Sequence, residues 1–192
     1  MVSGQQKVVG EVDKMKVEST FIEGIKIIHP NVFGDSRGWF YETYSEARFR
    51  DADINASFVQ DNHSMSLKKG TLRGLHLQIG EMAQSKLVYC TRGAVLDVAV
   101  DLRSLSPTYK KWFSVVLSAE NKKQIFIPKG FAHGFLTTED CTEIQYKVDC
   151  FYSKEHERSI IYDDPDIGVD WGLLATPILS EKDANAPRLN AI

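Results

Sequence analysis

The feature that most constrains this chain is the spacing of its turn signals. Runs of strand length, rich in branched and aromatic residues, are cut off within a few positions by glycine or proline. Residues 25–28, 58–60, 86–90, 95–100, 113–117, 124–127 and 143–147 suit strands. Between and around them stand FGDSRG (33–38), TRG (91–93), SLSP (104–107) and IPKG (127–130), each with glycine or proline for a tight change of direction. In VLDVAVD (95–101), Asp97 and Ala99 alternate with Leu96, Val98 and Val100, the period-two pattern of a strand with one packed face. Only residues 46–49, with Ser45 as N-cap, predict a helical turn ahead of the C-terminal region. Short strands at such intervals favour a sandwich or a closed barrel over strand–helix–strand units. No repeat, low-complexity tract or composition break divides the chain, so residues 18–192 are expected to form one domain after a flexible tail over 1–17. In the last quarter, DDPDIGVDW (163–171) and TPILSEKD (176–183) read as irregular chain packed back on the strands.

Composition narrows the partners. The three cysteines, Cys90, Cys141 and Cys150, are odd in number and follow no Cys-x-x-Cys spacing, which points away from a disulfide framework or structural zinc and towards a reducing compartment. The first sixteen residues are polar and charged, and no later run reaches membrane-spanning length, so a soluble cytoplasmic protein is expected. A net charge of -3 supplies no field for general nucleic-acid binding. Lys68, Lys69 and Arg73 form either a local phosphate site or an ordinary solvated loop.

Four segments set ionisable groups beside rigid turns: DSRGWFYE (35–42), TLRGLHLQ (71–78), IPKGFAHGF (127–135) and LSEKD (179–183). Two chemistries compete for them. A metal site wants three or four convergent ligands, and the compact His-x-His arrangement fails because Gln78 follows Leu77, although Glu81 could supply a carboxylate. Proton transfer wants a histidine whose second ring nitrogen is held by a carboxylate, which His76 and Asp183 would satisfy if the C-terminal segment folds over the strands. Lys86 and His133 could then stabilise negative charge on an oxygen, and Tyr146 could act as a general acid from another side. Each of these residues also has an ordinary structural reading as a packed or surface side chain.

Taken in order, DSRGWFYE, FVQDNHSMS, LRGLHLQ, QSKLV, GAVLDVAVDLRSLSPTY, FIPKGFAHGF, YKVDCFY, DDPDIGVDW and LSEKD resemble the dTDP-4-dehydrorhamnose 3,5-epimerase family from about Phe21 to Leu189. The resemblance implies an all-β, cupin-like jelly-roll barrel of antiparallel strands with short helical and irregular C-terminal segments. It implies an isomerase that inverts C3 and C5 of dTDP-4-dehydro-6-deoxy-D-glucose through an enolate, with neither cofactor nor metal. His76 resembles the family's base, Asp183 its carboxylate, Tyr146 its acid and Lys86 the lysine near the ketone, with His133 also lining the site. Arg73 resembles the arginine at the diphosphate; Arg37, Phe40, Glu42, Gln60 and Asn62 match positions that hold the nucleotide, and Tyr152 an aromatic near the substrate. The resemblance further implies a homodimer with exchanged N-terminal strands, placing Arg37 in the neighbour's site. Departures fall in IGEMAQSK (79–86), which lacks the paired prolines common there and has Ser85 for a frequent glycine, and at Ala184 and Asn185, where some relatives have another basic residue. The competing readings are an epimerase of one centre, C3 or C5, acting on a related sugar carried by CDP or another nucleotide; a metal-dependent cupin enzyme; and a non-catalytic sugar-nucleotide binding protein.

Overall fold

A computed structural model describes residues 15–192. Of the segment expected to be a flexible tail, residues 1–14 lie outside the described ones, and Lys16 and Val17 enter the first strand. Thirteen strands follow in order: β1 Lys16–Ser19, β2 Lys26–His29, β3 Val32–Asp35, β4 Gly38–Tyr41, β5 Gln60–Ser66, β6 Leu72–Gln78, β7 Lys86–Arg92, β8 Ala94–Asp101, β9 Trp112–Ser118, β10 Gln124–Ile127, β11 Phe131–Thr137, β12 Thr142–Val148 and β13 Glu157–Ser159. The short helix α1 Glu46–Asp51 interrupts them, and α2 Glu181–Ala184 follows the last. Helix α1 starts where Ser45 predicts, although the Ser45 hydroxyl makes no capping bond. None of the described helices is long and apolar enough to cross a membrane.

The strands form a six-stranded sheet ordered β1-β2-β10-β7-β12-β5, a five-stranded sheet ordered β13-β6-β11-β8-β9, and the separate hairpin β3-β4. All their ladders are antiparallel. The expected jelly-roll barrel is therefore corrected: no sheet closes, and β1, β5, β13 and β9 each end a sheet without pairing to another edge. The physical reason lies in what the facing edges carry. The sheets are held face to face by an apolar core in which Ile27, Val88, Ile125 and Ile144 of one sheet meet Val95, Ala99, Leu117 and Phe135 of the other. Near β5 and β6 the inward positions are polar, Asn62 and Ser64 opposite Arg73 and His76, so no burial of hydrocarbon draws the sheets together there.

Each sheet is also covered on its outer face. Phe49, Ile54 and Ala56 pack on Ile28, Leu87 and Phe126 of the larger sheet. Ile160, Ile167 and Trp171, from the irregular C-terminal quarter, pack on Leu72, Leu75, Val98 and Ala132 of the smaller one. Strand β8 is thus buried on both faces, not one: Val95 and Ala99 belong to the central core while Val98 and Val100 belong to the outer one.

One irregularity decides where the functional side chains point. Arg73 and His76 are three residues apart, and strict alternation would send them to opposite faces of β6. In the ladder, His76 faces His133 and Arg73 faces Phe135, so Gly74 and Leu75 oppose Gly134 alone. This two-against-one bulge restores Leu72 and Leu75 to the outer core and turns Arg73 and His76 to the same inner side. Gly74 has φ of 121°, and a Cβ there would lie 2.6 Å from Gly134 Cα; one on Gly134 would lie 2.8 Å from the Arg73 carbonyl oxygen. Replacing Gly134→Ala is expected to cost about 1–3 kcal/mol of stability through this backbone clash, measured by urea denaturation.

Candidate active site

The bulge places the His76 imidazole at a cavity of about 450 Å³ between the two sheets. The smaller sheet contributes Arg73, His76 and His133; the larger contributes Lys86 and Tyr146 from across the gap. The C-terminal segment forms the remaining wall. It is laid along β6 by a parallel bridge between Thr71 and Ile178 and by the Leu72 N–H, which donates to the Ile178 carbonyl oxygen at 2.9 Å. The Ser180 hydroxyl then caps α2 by accepting from the Asp183 N–H at 3.1 Å.

Asp183 is thereby delivered onto His76. Its Oδ1 lies 2.6 Å from His76 Nε2, and the carboxylate is almost wholly buried. Burial pushes the Asp183 carboxyl up, but the hydrogen bond from His76, with those from Ser180 and the Gly74 backbone, outweighs it and holds the group below the usual carboxylate range. An ionised carboxylate fixes the imidazole's orientation and favours the imidazolium, and the second ring nitrogen of His76 has no protein hydrogen bond among the described residues. A pair held in this way can take and return a proton.

Two groups face it from the larger sheet. Tyr146 is half-buried on β12, where burial raises its phenol above the ordinary value while Arg73 opposes the shift. Lys86, at the start of β7, is 9% exposed, and its Nζ makes no hydrogen bond or ion pair among the described residues. Burial pushes its ammonium down to about 8, against the pull of Asp97 and Glu157. A buried cation at a cavity wall with no partner of its own is available to an oxygen of a bound molecule. His133 also lines the cavity, and its Nε2 lies 2.9 Å from Asp97 Oδ2.

The other expected residues divide into two groups. Gln60, Asn62 and Tyr152 border a second, smaller cavity of about 170 Å³ that shares His76, Lys86 and Tyr146 with the first. Arg73 stands between Ser66 and Met65, its Nε donating to the Ser66 hydroxyl at 3.1 Å. Arg37, Phe40 and Glu42 do not join these cavities in the same chain. Arg37 is exposed on the β3-β4 turn, paired with Asp35; Phe40 is exposed on β4; Glu42 faces Arg48 at 3.4 Å. Lys68 is solvated beside Asp140, and Glu81 lies exposed in the turn 80–82. Among the described residues no three histidine, cysteine or carboxylate side chains converge as a metal site requires.

Three residues at the site are absent from the sequence-based set. Asp97 holds His133; Glu157 and Lys182 form an ion pair of 2.6 Å beside the cavities, and the Tyr152 hydroxyl donates to Glu157 at 3.1 Å. The one legible signal was Asp97, an acid inside an apolar run buried on both sides.

A family model described as dTDP-4-dehydrorhamnose 3,5-epimerase matches residues 19–191. The chain belongs to that family. The dTDP-4-dehydrorhamnose 3,5-epimerase of Sinorhizobium fredii (strain NBRC 101917 / NGR234) is 51% identical over 179 residues, covering 93% of this chain and 92% of that one. Among solved structures, the dTDP-4-dehydrorhamnose 3,5-epimerase from Elizabethkingia anophelis NUHP1 superposes with a TM-score of 0.87 at 50% identity, covering 92% of this chain and 97% of that one. A dTDP-6-deoxy-D-glucose-3,5-epimerase from Legionella pneumophila Philadelphia 1, in complex with dTDP-4-keto-L-rhamnose, gives a TM-score of 0.89 at 47% identity over 93% and 94% of the two chains.

In this epimerase-family chain the Lys86 charge has a stability consequence. The folded state lowers the lysine from 10.5 to about 8, so the buried ammonium costs stability in full below about pH 8, and the cost fades as pH rises towards the unfolded value. Lys86→Met is expected to stabilise the fold by roughly 3 kcal/mol near pH 7 and by much less near pH 10. Urea denaturation of both proteins at the two pH values checks the sign.

Proposed function

We propose that this chain epimerises dTDP-4-dehydro-6-deoxy-D-glucose at C3 and C5, with His76 as base and Tyr146 as acid. The observation that carries the reading is their placement: the His76–Asp183 pair hangs from the smaller sheet and Tyr146 from the larger, across one cavity. A ketone at C4 acidifies the hydrogens at C3 and C5, because the carbanion delocalises onto oxygen. His76 removes such a proton, and Asp183 stabilises the imidazolium so formed. Lys86 and His133 face the enolate oxygen, where a charge that develops during reaction is stabilised most by donors already fixed in place. Tyr146 delivers a proton from the opposite side of the ring, and delivery opposite to removal inverts the carbon.

Binding is assigned to the surrounding residues. Arg73 takes diphosphate oxygens, which its guanidinium fork suits. Gln60, Asn62 and Tyr152, around the second cavity, hold the part of the substrate beyond the hexose. Arg37, Phe40 and Glu42 act on the site of a second copy, in a homodimer with exchanged N-terminal strands. This is supported by the β3-β4 hairpin, which among the described residues pairs with neither large sheet and leaves Trp39 and Phe40 exposed at 62% and 70%.

Turnover of dTDP-4-dehydro-6-deoxy-D-glucose in deuterium oxide is expected to place label at both C3 and C5, read by NMR; label at one carbon alone would reject the double epimerisation. His76→Asn and Tyr146→Phe are expected to reduce turnover at least about a hundredfold each. Mixing inactive Arg37→Ala with inactive His76→Asn, unfolding and refolding them together, should restore about a quarter of the wild-type activity, since half the dimers then carry one intact site of two. No recovery would reject the shared site.

A further inference from the structure

Gln78 takes no part in these proton transfers, yet the residue is only 6% exposed. It ends β6, two residues beyond His76 and on the same face. A buried carboxamide must satisfy both N–H donors and its carbonyl acceptor, and Gln78 does so on two different loops. Its Nε2 donates to the Met82 carbonyl oxygen at 2.7 Å and to that of Phe151 at 3.1 Å, while its Oε1 accepts from the Ser153 N–H at 2.5 Å. Met82 lies between β6 and β7; Phe151 and Ser153 lie between β12 and β13. A second clasp joins the same loops, where Gln84 Nε2 donates to the Cys150 carbonyl oxygen at 2.7 Å and the Ser85 N–H donates to Asp149 Oδ1 at 2.6 Å.

The residue between the two backbone groups that Gln78 holds is Tyr152. Its ring borders the second cavity, its N–H donates to Gln60 Oε1 at 3.3 Å, and it is 56% exposed, so packing alone does not fix it. We propose that Gln78 is a positioning residue for substrate binding: by pinning the Phe151 carbonyl and the Ser153 N–H, it sets the Tyr152 ring at the wall of the second cavity. Affinity for the part of the substrate beyond the hexose then depends on a side chain that transfers no proton, because a wall ordered in advance loses less entropy on binding. The inference rests on the nucleotide-sugar reading of the two cavities.

The test uses the full chain with Gln78→Glu, which keeps the acceptor for Ser153 but cannot donate, and Gln78→Met, which keeps the volume without hydrogen bonds. Steady-state kcat and KM are measured with dTDP-4-dehydro-6-deoxy-D-glucose, and the Kd of dTDP by calorimetry, beside Tyr152→Ala and the double variant Gln78→Met/Tyr152→Ala. Both Gln78 variants are expected to raise KM and Kd about tenfold with kcat within about threefold. The double variant should bind no more than about twofold worse than Tyr152→Ala, since the ring that Gln78 aims is gone. Unchanged KM and Kd, a loss confined to kcat, multiplicative effects in the double variant, or failure of both Gln78 variants to fold would each overturn the proposal. If the wild-type chain binds dTDP but does not epimerise, the proposed reaction falls while the titrations still decide the role of Gln78; a wild-type chain that does neither overturns both.

Discussion

The His76–Asp183 half of the site depends on two backbones being allowed to touch. Where β6 passes β11, Gly74 and Gly134 approach so closely that a methyl group on either would strike the other strand. The bulge formed there rotates His76 inward and puts the Gly74 backbone in reach of the Asp183 carboxylate. It also leaves the leucines of the same strand pointing outward, into the core that holds the C-terminal quarter in place. That quarter is what carries Asp183. One local departure from pleating thus aims the histidine and, through the leucines, seats the group that orients it.

The two-sheet arrangement does the rest. Lys86 and Tyr146 need no bulge, since regular alternation along β7 and β12 already turns them towards the gap, in step with Val88 and Ile144 of the central core. The same sheets that bury hydrocarbon at one end separate at the other, where the inward residues are polar. Burial of Lys86 beside that opening lowers its proton affinity and costs the fold energy, a cost consistent with a group placed for work on a bound molecule and not for stability.

Strands whose pattern is apolar and regular were legible in the sequence: 86–90, 95–100, 113–117 and 124–127 all lie within strands of the fold. The expected strand at 58–60 begins instead at Gln60 and runs to Ser66, because its inward side chains are polar and give no hydrophobic period to read. FGDSRG was legible as a turn, but the hairpin around it was not, since its strands carry exposed aromatics and a glycine in place of an alternating pattern. IPKGFAHGF reads as a segment beside a rigid turn, yet from Phe131 the chain runs as a full strand, FAHGFLT, buried along its length. His76, Asp183, Lys86 and Tyr146 were picked out by motif and do meet at one cavity. Their meeting could not be read from spacing, because it requires a bulge defined only by the opposing strand and a C-terminal segment that returns across more than a hundred residues.

Setting His76 on one sheet and Tyr146 on the other ties the geometry of their cavity to the thickness of the sandwich. Distances within a sheet are fixed by ladders of hydrogen bonds, whereas the distance between sheets is fixed by the sizes of the side chains that interdigitate. Phe135, Val88 and Ile144, which pack in the central core beside the cavity, therefore bear on the span from His76 to Tyr146. A change in the volume of these apolar residues would alter the gap between His76 and Tyr146 without substituting either, so the core serves as gauge block as well as ballast.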